Sequence, residues 1–279
     1  MRIVNRDYET GEYTLECYGH EIRVIKGGAE SPRDKDSYFT FINCVKPEVL
    51  VDRLGKDETE YGCYKCPDDS NFKPSGNIYV DIIRFSDARH EPPVELTEEM
   101  ITEAKRVVEE RYVVFPVLLS RGKNGKFKFT CNTLQWFKEN NLESTGGYDD
   151  AVLFGALYAP VDVDSNKMHS VDDLLWVEIL VEEYSLWVND DTYIIDVSMS
   201  EELERLVMNA NEGLYYRWQE NLGWLNTEGY GSDATWDMRN TVTRLNITID
   251  CIKESMDNMN DSELDPEDKA DILAALNTK

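Results

Sequence analysis

Few residues in this chain are spaced to do chemistry. The clearest are Cys63 and Cys66 in GCYKCPDD, a Cys-x-x-Cys pair that forms one half of a zinc knuckle. A structural zinc needs four ligands, and no second close pair follows; Cys17, Cys44 or His20 could complete the set only through folding. The segment DVDSNKMHSVDD (162–173) places Asp162, Asp164 and Asn166 at positions 1, 3 and 5 of a calcium loop. However, Lys167 stands where the loop needs glycine, and Asp173 replaces the bidentate glutamate. The three histidines, His20, His90 and His169, are scattered, and none belongs to a His-Glu-x-x-His arrangement. Paired carboxylates abound, but among 55 acidic residues a pair says nothing about acid–base work. There is no Gly-x-Ser-x-Gly elbow, no phosphate-cradling glycine loop with lysine and no dinucleotide fingerprint. The sequence therefore names no catalytic residue and no cofactor, and Cys63 and Cys66 stay weak metal candidates.

Charge is the stronger signal. The net charge is −26, unevenly spread: residues 1–140 hold 21 Lys+Arg against 25 Asp+Glu, and residues 141–279 hold 8 against 30. The hydrophobic share of 41% and aromatic share of 11% place this charge on a folded body, since disordered acidic tails are poor in aromatics. Such a surface is repelled by nucleic acid and by anionic lipid, which argues against direct binding to either. The extreme case is DDLLWVEILVEEYSLWVNDD (172–191), with seven carboxylates among large apolar residues and no Lys or Arg. An ordinary solvated helix face mixes signs, because i,i+4 pairs stabilise it by about 0.2–0.5 kcal/mol each. Either the excess serves solubility, or it is complementary to a basic surface on another protein.

The elements that would position these groups read as follows. YETGEYTLECYGHEIRVI (8–25) alternates around two turns, as a hairpin or meander does. Residues 38–45 and 77–85 read as buried strands, with a short helix after Pro47 between them. Thr97 caps a helix running to about Arg111. Residues 112–120 form a strand, KFKFT (126–130) an edge strand guarded by Lys126 and Lys128, and LQWFKENN a helix. The basic cluster RGKNGKFKF (121–129) adds Arg121 and Lys123. Ser170 and Asp173 have the form of a capping box opening a helix over the acidic stretch. In that helix Glu178, Glu182, Ser185 and Asn189 make a wet face opposite Leu175, Ile179, Leu180 and Trp187. Asn189-Asp190-Asp191 then turns into the strand TYIIDV (192–197).

Three helical segments follow. The first spans 201–221 with Ser200 as its cap. The second, 234–259, spaces Met238, Val242, Leu245, Ile249, Ile252 and Met256 as a heptad seam, fit for a core or for self-association. The third is capped by Asp265 with Pro266 at its first position. The expected class is α+β: a β-rich N-terminal domain with a few helices (1–140), a polar connector (140–150), and an acidic, helix-rich domain (150–279). MRIVNRDYET lacks the apolar stretch of a secretory leader, and the six cysteines are mostly isolated, so a cytoplasmic protein is expected.

In composition, and in the acidic bias of 141–279, the chain resembles the inhibitors that bacteriophages and mobile elements use against host defence nucleases. Some of these mimic DNA, and others wrap or lock their target, as inhibitors of Gabija-type nuclease complexes do. The resemblance implies a non-enzymatic inhibitor acting in the host cytoplasm on a protein with a basic, nucleic-acid-binding surface. The residues expected to meet that partner are Glu178, Glu182, Glu183, Asp190, Asp191, Trp224, Tyr230 and Trp236, the last three in the aromatic loop 223–237. Two alternatives stand beside it: a zinc module or metal-dependent enzyme built on Cys63 and Cys66, and a homo-oligomeric phage assembly protein held by the seam.

Overall fold

The turn at Tyr18-Gly19 sets the first sheet. Both residues take positive φ (53° and 70°), as a two-residue hairpin turn of this hand requires, and join β2 (Tyr13–Cys17) to β3 (His20–Lys26). A computed structural model of the chain describes residues 2–7, 10–32, 39–45, 72–121, 125–140, 151–161, 171–231 and 234–277. The fold is α+β, with antiparallel sheets and eight helices among those residues. It forms two compact units, 1–29 with 190–279 and, between them in sequence, 30–189.

In the first unit the strand order is β1 (Arg2–Arg6), β2, β3, β8 (Thr192–Met199), β9 (Thr227–Tyr230), all antiparallel. Strands β3 and β8 are direct neighbours, with Lys26 opposite Tyr193 and the Gly27 N–H donating to the Thr192 carbonyl at 2.7 Å. The second unit is thus inserted into a hairpin: the chain leaves and re-enters at one point of the sheet. Alternation aims Leu15, Ile22, Val24, Tyr193, Ile195 and Val197 at one face, while Glu21, Arg23 and Asp196 take the other.

Four helices cover the apolar face: α5 (Glu201–Ala210), α6 (Glu212–Gly223), α7 (Thr235–Asp257) and α8 (Pro266–Leu276). The segment 201–221, expected as one helix, is broken by Asn211. That residue ends α5 in extended conformation, caps α6 through the Leu214 N–H, and donates its side-chain amide to the Glu263 carbonyl. The seam on α7 faces this core. Leu245, Ile249, Ile252 and Met256 are buried, and Met238 and Val242 pack against the same cluster. Four of the six seam residues are thus interior to their own unit, with Met238 and Val242 half-buried beside them.

The second unit is a sheet ordered β4 (Thr40–Asn43), β7 (Ala151–Pro160), β5 (Tyr112–Arg121), β6 (Phe127–Cys131), with helices on both faces. On one side lie α1 (Ile78–Ser86), α2 (Glu98–Arg111) and α3 (Leu134–Glu139); on the other lies α4 (Val171–Val188). This explains why β7 is an unbroken apolar run: both its faces are covered. Gly155 is obligatory there, because a Cβ would stand 1.9 Å from the Ile42 carbonyl oxygen of β4. On the α4 side Tyr184 packs edge-on against Phe41 and Phe129, with ring centroids at 5.0 and 4.8 Å.

Residues 77–85, expected as a strand, form α1. The β-branched residues favour a strand locally. The Asn77 side chain overrides them by accepting from the Tyr79 and Val80 N–H groups, and Asp81 and Arg84 pair at i,i+3.

The boundary expected at 140–150 falls by number inside the second unit, and 141–150 lie outside the described residues. The expected domains 1–140 and 150–279 each contribute to both units. The helix expected after Pro47, Cys63 and Cys66, Lys123, the 162–170 part of the calcium-like loop and the Ser170 cap also lie outside the described residues.

A candidate protein interface on helix α4

Helix α4 is apolar almost all the way round, so its orientation decides what the protein shows to solvent. Val177, Val181 and Tyr184 are buried against the sheet. At the C-terminal end Ser185 and Asn189 turn inward as well. The Asn189 amide donates to the Phe127 carbonyl at 2.7 Å and accepts the Phe127 N–H at 2.8 Å. Ser185 Oγ accepts the Phe129 N–H at 2.9 Å and donates to the Val181 carbonyl at 2.9 Å. These side chains stand in for the strand that β6 lacks, satisfying backbone groups that an edge would otherwise leave open to aggregation. The edge is therefore sealed by α4 rather than guarded by lysines alone.

This corrects the expected division of α4. Ser185 and Asn189 are not on a wet face with Glu178 and Glu182. In their place Leu175 (56% exposed), Trp176 (56%) and Ile179 (41%) face solvent. Leu175 and Ile179 are one turn apart, with Trp176 beside them. Glu178 and Glu182, both exposed, border the Leu175 side, and half-buried Glu183 follows Trp176 two turns on. No Lys or Arg lies between 172 and 191. The local field reaches the sheet: the Cys131 thiol is pushed up to about 12, by burial first and then by the charge of Glu178. Chemically, the surface is an apolar strip edged with carboxylates, suited to hold an amphipathic, cationic counterpart.

The other expected contact residues sit in the first unit. Asp190 is exposed, at φ 55°, where the chain re-enters the sheet, and the Asp191 carbonyl accepts the Gly231 N–H at 2.6 Å. Tyr230 is half-buried in β9, paired with Thr192. Trp224 and Trp236 are each 73% exposed, at the end of α6 and the start of α7. Glu178, Glu182 and Glu183 thus belong to one unit and Asp190, Asp191, Trp224, Tyr230 and Trp236 to the other. The charge divides likewise. The first unit has 11 Lys+Arg against 25 Asp+Glu, the second 18 against 30, so the steep asymmetry between chain halves is not an asymmetry between units.

Among the described residues the buried titratable side chains include His20 and the Asp81 carboxyl paired with Arg84, both with shifted protonation. His20 is fully buried; its Nδ1–H donates to the Tyr18 carbonyl at 2.8 Å, and Nε2 accepts the Trp218 indole N–H at 3.1 Å. Burial pushes this imidazole down to about 4, so it is neutral and locked in place. Asp81 accepts both Arg84 Nη1 at 2.6 Å and the Ser75 N–H, and burial pushes its carboxyl up to about 6 against the pull of those donors. Among the described residues no group of three His, Cys, Asp or Glu side chains is arranged to hold a metal ion, and no helix is long and apolar enough to cross a membrane.

Sequence reasoning missed Leu175, Trp176 and Ile179, yet a signal was present. The face centred on Val177, Val181 and Tyr184 carries no acid, whereas burying Ile179 would bury Glu183 one turn later. The chain matches no protein-family model, no curated protein and no solved structure.

Proposed function

We propose that the chain is a non-enzymatic, acidic protein-binding inhibitor, and that α4 is its contact helix. The observation that carries this reading is the exposed strip of Leu175, Trp176 and Ile179 bordered by Glu178 and Glu182. Exposed large apolar residues grouped on one helix mark a binding surface, and their acidic border selects the sign of the partner. Carboxylates steer a basic partner and stand where phosphates would otherwise bind; the apolar centre supplies the contact that excludes water. The partner class is a protein with a basic, nucleic-acid-binding surface, and a host defence nuclease met in the host cytoplasm is the setting we favour.

The test is affinity capture from host lysate by the intact protein and by Trp176→Ser/Ile179→Ser, each at low and high ionic strength. The same basic protein should be retained by the unaltered chain at low salt, weakened by salt, and lost with the double variant. Retention unaffected by both changes would count against the reading.

A further inference from the structure

Helix α7 has the opposite character to α4. Its seam is turned into the core of the first unit, which leaves the other face open to solvent. From Thr235 to Ile247 every exposed residue is Thr, Trp, Arg, Asn or Ile, and none is an acid. That is an exception in a unit with 11 Lys+Arg against 25 Asp+Glu. Trp236 (73% exposed) and Ile247 (60%) lie within about 20° of each other around the helix axis, with Asn240 and Thr243 beside the line that joins them. Arg239 borders this strip on one side and Arg244 on the other.

The two arginines are uncommitted. Neither forms an ion pair among the described residues. Arg244 Nη2 donates to the Trp224 carbonyl, which holds that guanidinium beside a second exposed tryptophan. The one acid of α7 within this stretch, Asp237, is half-buried and accepts from the Tyr193 hydroxyl. Acids return to the exposed face only at Asp250.

We infer that this face of α7 receives α4 of a second copy of the chain, covering the contact helix until a tighter partner displaces it. The inference rests on reading α4 as a docking surface and adds how that surface is regulated. The match is one of kind and sign: Leu175, Trp176 and Ile179 edged by Glu178 and Glu182 meet Trp236 and Ile247 edged by Arg239 and Arg244. The same charges select against the like pairings. Two α4 helices would set carboxylates against carboxylates, and two α7 helices arginines against arginines. Strips this short belong at the small end of protein contacts, so the pairing is weak and reversible.

Sedimentation velocity of the full chain over about 10–500 μM spans the range for a contact of this size. The unaltered chain should gain weight-average mass across it. Glu178→Lys/Glu182→Lys and Arg239→Glu/Arg244→Glu should each weaken self-association at least about tenfold, because each sets like charges face to face. The first should do so although it lowers the net negative charge of the chain. An equimolar mixture of the two variants should regain association, since the intact α7 of one meets the intact α4 of the other; that recovery also shows both to be folded. Arg239→Glu alone, at an exposed position without an ion pair, should weaken the pairing with circular dichroism unchanged. A monomer throughout the range, self-association that survives the charge reversals, or a mixture of folded variants no better than its components would each overturn the inference. Those results leave capture of a basic protein by α4 unaffected, whereas the full charge-reversal pattern with no protein captured would sink the inhibitor reading alone.

Discussion

The two units solve the same problem, how to bury a polar group, in opposite ways. The first buries a neutral imidazole, with His20 held between the Tyr18 carbonyl and the Trp218 indole on a sheet covered on one face. The second buries an ion pair, Asp81 with Arg84, beneath helices on one face of a sheet that also carries α4 on the other. A neutral, doubly bonded ring costs little to desolvate. A buried pair costs more and is tolerated only while both partners remain. The difference teaches that the ordinary core is in the first unit, whereas the inserted unit accepts a fragile arrangement in order to fix the α1–α2 loop, where Arg84 Nη2 donates to the His90 carbonyl at 2.7 Å.

That contrast can be broken by substitution. Arg84→Ala leaves the Asp81 carboxylate buried without its cation and should destabilise the second unit by about 3–5 kcal/mol. Asp81→Asn/Arg84→Met, which removes both charges, should recover most of the loss. Denaturant titration read by amide exchange in β7 checks this, and a double variant no better than Arg84→Ala would refute the role assigned to the pair.

Acid should separate the units next. The folded value of His20, about 4, lies below its ordinary 6.5, so the unfolded chain takes the proton more readily. The stability that neutral His20 contributes is fully present above pH 6.5 and is lost as pH falls toward 4, by about 3 kcal/mol in all. Asp81 runs the other way. Its folded value of about 6 exceeds the ordinary 3.8, so its share of stability is lost as pH rises from 3.8 through 6. Amide exchange in β8, corrected for intrinsic rate, should lose protection between pH 7 and 4.5 relative to β7. His20→Gln should flatten that dependence, and an unchanged slope in the variant would remove His20 as its cause.

Much of the local structure was legible. Thr97, Ser200 and Asp265 cap the helices they should, and the turn between β2 and β3 falls at Tyr18-Gly19. The α7 seam is apolar at the expected spacing. What escaped was non-local. Nothing in HEIRVIK announces that its partner is TYIIDVSM across an inserted unit, because pairing depends on loop closure and not on neighbours in sequence. The composition change near 140–150 marked where basic residues run out, not where the chain closes on itself. At the candidate interface the acids at 178 and 182 were legible as exposed. Asn189 and Ser185 were not legible as edge-sealing groups, since short polar side chains read as solvated until a strand edge needs them.

The central claim is that α4 is the contact surface, and side-chain oxidation footprinting of the chain with its captured partner tests it most directly. Trp176 and Leu175 should be protected on complex formation, while Trp224 and Trp236 of the first unit keep their reactivity. Protection confined to Trp224 and Trp236, with Trp176 still fully reactive, would contradict the account.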